Sequence, residues 1–382
     1  MNYSIIIIGG GASALMLASL LPKQRAIIIE NNLKVGAKIA VSGGGKCNVT
    51  NTKMGAEYYL GETSFITSVL KKFNEKALLS WLERLNLRPI LRKETQYFCQ
   101  NSSKELLDIF IEQSKKQTLK LNEKVVDIQK REDIFYVKTS KTTYSAKYVV
   151  VASGGLSFPK LGATSIGYEI AKSFGHTIVP TAPALVGFTV QKEQFFFKEL
   201  SGASTPVSIK IDDIVCKGDL LFTHKGISGP CVLDASLFWK KGKIAIDFLG
   251  DFSFKNFENS KKLLSSVLPL HKRIIKMFLL QFGVEDKPFN KLTSFELEKL
   301  KQLKEYTLAP AGTFGYAKAE VTKGGVESSQ IDEKTMMSKR EENLYFIGEV
   351  LDITGKLGGY NFQWAFSSAF VCSKSLKNKD KN

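Results

Sequence analysis

Gly9, Gly10 and Gly11 follow four consecutive isoleucines, Ile5 to Ile8, in the spacing Gly9-x-Gly11-x-x-Ala14. Gly9 permits a tight turn and Gly11 lets backbone approach a pyrophosphate. Ala14, in place of a third glycine, keeps a helix close to its strand. That helix offers free N–H groups and the positive end of its dipole to phosphates. Glu30 stands about 20 positions on, where a ribose 2′-OH needs an acceptor. The pattern predicts a dinucleotide site. The alternative is an ordinary glycine-rich turn in an α/β sheet.

Other groups also carry chemistry. Ser42-Gly43-Gly44-Gly45-Lys46-Cys47-Asn48 holds three glycines in a row, costly in chain entropy unless backbone must pass close to a ligand. His224, in Thr223-His-Lys-Gly-Ile-Ser-Gly-Pro230, is of a residue type suited to proton transfer, or it hydrogen-bonds its turn. Lys46 and Tyr360 are comparable catalytic candidates. Glu349 and Asp352 in isolation suggest acid/base work. Cys47 has no partner in a C-x-x-C pair, which argues against a redox dithiol, and no metal site is expected.

Positioning these groups requires a sheet. Ile5–Ile8 reads as a doubly buried strand, Ala12–Leu21 as a buried helix ended by Pro22, and Ala26–Glu30 as the second strand of a Rossmann βαβ unit. Residues 31–51 read as a long loop. Asn74–Leu87 reads as an amphipathic helix, and Ser102-x-x-Glu105 as a capping box opening a helix through Ile111. Leu119–Ile128 and Ile134–Lys138 read as paired strands. Tyr148–Gly155 is a buried strand whose glycines, Gly154 and Gly155, fall at the ligand end of a doubly wound sheet. From Phe188 to Phe248 short antiparallel strands take over, with a helical pattern over 256–306. Asn343–Glu349 returns as a buried strand. Gly358, Gly359, Tyr360 and Asn361 then open a helix carrying Phe362, Ala365, Phe366, Ala369 and Phe370, a second dipole aimed at the same crevice. The chain divides as 1–186, an inserted 187–318 with a helical sub-insert, and a returning 319–382.

Ordinary hydrophobic (43%) and charged (24%) content fits a globular α/β protein. With no apolar run of membrane-spanning length and no leader pattern, a soluble cytoplasmic protein is expected. The net charge of +17 raises the question of nucleic acid. Scattered lysines, not bunched arginines, make a nucleic-acid partner unlikely on sequence grounds. The basic tail, Lys374 to Asn382, reads as a frayed, solvated end. Oligomeric state is left unassigned.

Four long motifs, in order, resemble one family. They are Ser42–Asn51, Ala152–Ala163, Leu221–Pro230 and Gly348–Ala365, supported by Val321–Val326 and Thr335–Lys339. Together they resemble the BaiN/RdsA (YhiN-like) FAD-dependent oxidoreductases of the glutathione-reductase-like superfamily. The resemblance implies a Rossmann-like FAD-binding domain built from both chain ends, an inserted antiparallel β domain, and non-covalent FAD. It implies that Gly9, Gly11, Ala12 and Ser13 hold the pyrophosphate and Glu30 the ribose. Lys38 and the loop Ser42, Gly43, Gly44, Gly45, Lys46, Cys47 and Asn48 would run along the ribityl chain and ring. Val125 would meet the adenine, and Ala152, Ser153 and Gly154 would lie behind the cofactor. Glu349 and Asp352, beside Gly348, would reach the ribityl or phosphate region as acceptors. Gly359, Tyr360 and Asn361 would face the flavin N1/O2 edge, and His224 would face the flavin from the insert.

Two departures stand out: Ser153 where Thr is usual, and Gln96-Tyr-Phe-Cys99 where an Arg–aliphatic–Phe–Pro stretch is expected. With no second glycine fingerprint, NAD(P)H is expected only as a transient donor. The leading expectation is hydride transfer through flavin N5 to an activated C=C of a small molecule. The alternatives are a small-amine oxidase producing hydrogen peroxide and an RNA-associated flavoprotein.

Overall fold

The isoleucines of the N-terminal strand are buried on both faces, as parallel pairing on either side requires. In the computed structural model, which describes residues 2–379, the strand Asn2–Ile8 pairs in parallel with Ala26–Ile29 and with Thr143–Val151. The sheet runs Thr118–Lys120, Ala26–Ile29, Asn2–Ile8, Thr143–Val151, Ile134–Thr139, Val125–Arg131. A seventh strand, Leu344–Phe346, pairs in parallel with Val149–Val151. The helix Ala12–Leu20 packs between the sheet and the long last helix, Tyr360–Asn378. Among the described residues no helix is long and apolar enough to cross a membrane.

Several elements differ from expectation. Residues 31–51 hold a short helix, Ala37–Gly45, in which Ser42, Gly43 and Gly44 leave helical dihedrals. A strand, Asn48–Asn51, then pairs with Gln96–Phe98. The expected strand Leu119–Ile128 is broken at Asn122, whose φ is +51°. Its first part joins Ala26–Ile29, and its second forms a hairpin with Ile134–Thr139. Glu105 does receive the N–H groups of Gln100, Asn101 and Ser102, but the helix starts at Lys104 and reaches Ser114. The helices Thr63–Lys72 and Pro230–Phe238 carried no sequence signal strong enough to be read. The tail is a correction. Residues 374–378 continue the last helix, Leu376 is fully buried, and Lys379 Nζ donates to Asn343 Oδ1 at 2.6 Å. Residues 380–382 lie outside the described residues.

The chain divides into two units, Met1–Pro183 with Glu320–Asn382, and Ala184–Ala319. The expected divisions lay at 186/187 and 318/319. The inserted unit has its own seven-stranded antiparallel sheet and its own aromatic core around Phe197, Phe222, Phe248 and Phe278. The helix Lys272–Phe282 covers that core with Ile274, Ile275, Phe278 and Leu279. Thr293 and Glu296 form a capping box at the start of Ser294–Lys301.

Candidate functional site

The glycine turn lies where the strands Asn2–Ile8 and Thr143–Val151 end. Gly9 has φ +104°, donates to Ile29 O at 2.8 Å, and would bring a Cβ within 2.6 Å of Ala152 O. Gly10 donates to Glu30 Oε2 at 2.6 Å, and a Cβ there would meet Val35 at 2.8 Å. Gly11 is different. Its φ is −83° and nothing lies within 4 Å of where a Cβ would stand. Neither backbone strain nor a protein neighbour requires glycine at this point. The helix after it has no side-chain cap and no acidic residue in its first turn, so no side chain satisfies its leading N–H groups.

Glu30 is buried, and its other oxygen, Oε1, accepts from Asn32 N at 2.8 Å. The carboxylate therefore braces the glycine turn and retains a second lone pair on each oxygen for a hydroxyl. The N–H of Glu123, two residues before the buried Val125, donates to Glu30 O at 3.0 Å, which fixes this corner of the sheet.

A second helix begins against the strand Asn48–Asn51. Ser13 Oγ lies 2.6 Å from where a Cβ of Gly348 would stand, and Trp364 Nε1 donates to Gly348 O at 3.2 Å. Gly359, the uncapped N-terminus of the last helix, has φ +94° and backs onto Thr50 and Asn48. Asn48 Nδ2 donates to Gln96 Oε1 at 2.7 Å, while its Oδ1 is buried with no hydrogen-bond partner. Asn361 spends both ends of its amide on Gly355, accepting from its N–H at 2.9 Å and donating to its carbonyl at 2.8 Å. That pair of bonds braces the turn at Gly355 and leaves a second lone pair on Oδ1 and a second N–H on Nδ2. The Tyr360 ring stacks on Tyr58, with centroids 4.9 Å apart, and meets Tyr59 edge-on.

Two charged groups tie the chain ends together. Lys38 Nζ lies 2.7 Å from Glu349 Oε2, and Glu349 Oε1 accepts from Thr322 N at 2.9 Å. Asp352 is pushed up to about 6 by burial and by the nearby Glu327 carboxylate. On the glycine loop, a Cβ at Gly44 or Gly45 would meet nothing within 4 Å, and Gly43, Gly44 and Lys46 are exposed. Ser42 Oγ donates to Ile39 O. Ser153 Oγ is buried without a partner, and Gly154 beside it has open space and φ +72°.

Cys47, read as lacking a partner, has one. Cys99 donates its N–H to Cys47 O at 3.2 Å. The side-chain hydrogen bond between the thiols, with burial, raises Cys47, and the same bond lowers Cys99. The sequence reading gave no role to Gly10, Gln96, Thr322 or Cys99, because their roles are contacts between distant segments. Only the unbroken Gly9–Gly11 run hinted at Gly10. His224 belongs to the inserted unit. It stands exposed at the tip of the hairpin joining Ile214–Thr223 to Gly226–Ser228, where Thr223 Oγ1 donates to Gly226 O.

A mixed sheet whose first strand runs through a glycine turn into a helix with no side-chain cap defines a Rossmann-type dinucleotide-binding fold. The chain belongs to the family described as HI0933-like protein Rossmann domain, whose pattern matches residues 3–375. It is 35% identical to a ribosomal RNA dihydrouridine synthase of Escherichia coli, over 98% of each chain. It is 36% identical to the protein of that name in Haemophilus influenzae, again over 98% of each. A 3-dehydro-bile acid delta(4,6)-reductase of Clostridium scindens is 28% identical, over 98% of each. Among solved structures, the quinol fumarate reductase subunit FrdA of E. coli shares the fold, with TM-score 0.52 and 13% identity over all of this chain and 71% of that one.

Proposed function

We propose that this protein is an FAD-dependent reductase that adds hydride and a proton across a C=C bond conjugated to a carbonyl, and that its substrate is a uridine of ribosomal RNA. The observation that carries the cofactor is Gly11, a glycine with ordinary φ and no protein neighbour, at an uncapped helix end. The orphaned Asn48 Oδ1 beside the second helix end adds an acceptor waiting for a ring N–H. Gly9, Gly11, Ala12 and Ser13 would hold the pyrophosphate and Glu30 the ribose. Lys38, Glu349, Asp352 and the Ser42–Asn48 loop would line the ribityl chain and ring, with Ala152, Ser153, Gly154 and Gly348 behind it and Val125 at the adenine.

FAD supplies a two-electron hydride carrier when bound. The chain's part is electrostatic and geometric. The N–H groups of Tyr360 and Asn361, with the dipole behind them, would favour negative charge at the ring edge next to Gly359. Of the proton-donor candidates, Lys46 has an exposed ammonium on the glycine loop itself. The Tyr360 ring is occupied in its aromatic stack, and His224 would have to act from the insert. NAD(P)H would serve as a transient donor.

The substrate reading rests on the relatives. The names of both kinds describe saturation of a conjugated C=C, which favours reduction over amine oxidation. The more similar ones are named for an RNA nucleoside, and a net charge of +17 suits an RNA substrate. Nucleic acid, set aside on lysine scatter alone, therefore returns as partner.

The test is direct. FAD-loaded protein should bleach anaerobically with NADH or NADPH and regain colour on adding ribosomal RNA that lacks the modification. A uridine in that RNA should gain the mass of two hydrogens. Colour returning only with oxygen, with peroxide accumulating and the RNA mass unchanged, overturns the proposal.

A further inference from the structure

We propose that the outward face of the helix Lys272–Phe282, in the inserted unit, is a docking surface for the phosphate backbone of ribosomal RNA. The proposal rests on the RNA-reductase reading above and adds where the RNA is gripped. The helix buries Ile274, Ile275, Phe278 and Leu279, so its cations must face away from the core. Lys272, Arg273, Lys276, Met277 and Leu280 line an open groove of about 420 Å³.

The charge pattern there runs against the intrinsic preference of a helix. Its first turn holds Lys272 and Arg273 and no acidic residue, at the end where the dipole is already positive. Among the described residues neither Lys272 nor Lys276 forms an ion pair. A minority of lysines elsewhere do: Lys115 pairs with Glu112, Lys287 with Glu296 and Lys301 with Glu298. Arg273 donates to the carbonyls of Glu199 and Ser201, which fixes the guanidinium without neutralising it. An arrangement of this kind is relieved by an anion from outside, and a row of phosphates matches it. Leu280, 71% exposed, and the half-buried Met277 add an apolar strip at the far end of the groove for a ribose or base face.

The test uses full-length, FAD-loaded protein and fluorescently labelled, deproteinised ribosomal RNA, titrated across a salt series. The variant Lys272→Gln/Lys276→Gln removes two exposed charges and no packing. Its affinity should fall severalfold, and its slope of log affinity against log salt should flatten by about 1 per lysine. The control Lys115→Gln/Lys301→Gln should bind as the wild type does, and all three should be reduced by NAD(P)H at the same rate. Lys276→Gln alone, in the middle of the helix, should give half the change in slope. Wild-type affinity and slope in the double variant overturn the docking surface, as does a control pair that loses as much. A wild type that ignores RNA altogether overturns the substrate reading and this surface with it.

Discussion

Gly9 and Gly11 are two residues apart and are glycines for different physical reasons, which mutation separates. Gly9→Ala forces a Cβ against Ala152 O at φ +104°. It should destabilise the FAD-free protein by about 2 kcal/mol or more, read by chemical denaturation. Gly11→Ala meets no protein atom, so the FAD-free protein should melt as the wild type does. Its FAD affinity should nonetheless drop at least tenfold in a fluorescence titration, since the methyl occupies the pyrophosphate's path. Asp352 gives a pH-dependent prediction. Its carboxyl sits at about 6 in the fold against 3.8 for the free group. The native state therefore binds more protons between these values, and this group's contribution falls as pH rises through that window. Asp352→Asn should thus melt higher than the wild type near neutral pH, with the gain vanishing by about pH 4. The fingerprint was legible residue by residue because each glycine stands next to its own strand. The committed oxygens of Glu30 and amide of Asn361 were not, since hydrogen bonds across 20 or six residues leave no mark on spacing.

Strands and helices with one continuous environment were the easiest to read. Ile5–Ile8 and Tyr148–Val151 are apolar throughout because both faces are covered, and the helix after Asn74 announces itself through its apolar stripe. Helix Ala37–Gly45 was hidden by its own glycines, and Pro230–Phe238 by the turn sequence before it. Helix Tyr360–Asn378 was legible at its start and misjudged at its end, where lysines flank the buried Leu376. Its grip on the site passes through Trp364, which is buried and donates to Gly348 O. Trp364→Ala should cost about 3–5 kcal/mol in urea unfolding and release FAD as Gly348 loses its anchor. Trp364→Phe, keeping most of the volume, should retain most of the stability.

Across the whole molecule, the inserted unit carries a complete sheet and core of its own. Expressed alone as residues 184–319, it should give a cooperative thermal transition by circular dichroism. Residues 1–183 alone should not, because they lack the strand Leu344–Phe346 and the helix Tyr360–Asn378. The two-part sheet was legible as an interrupted Rossmann pattern, returning strand at Asn343–Glu349 included, whereas the pairing of that strand with Val149–Val151 was not. That closing strand has a temporal meaning. During synthesis the first glycine turn emerges early, yet Gly348 and Gly359 leave the ribosome only after the entire insert has been translated. The nascent polypeptide must keep an unfinished parallel sheet out of trouble for most of its production, and the closing of that sheet by Leu344–Phe346 becomes one of the last events in the protein's birth.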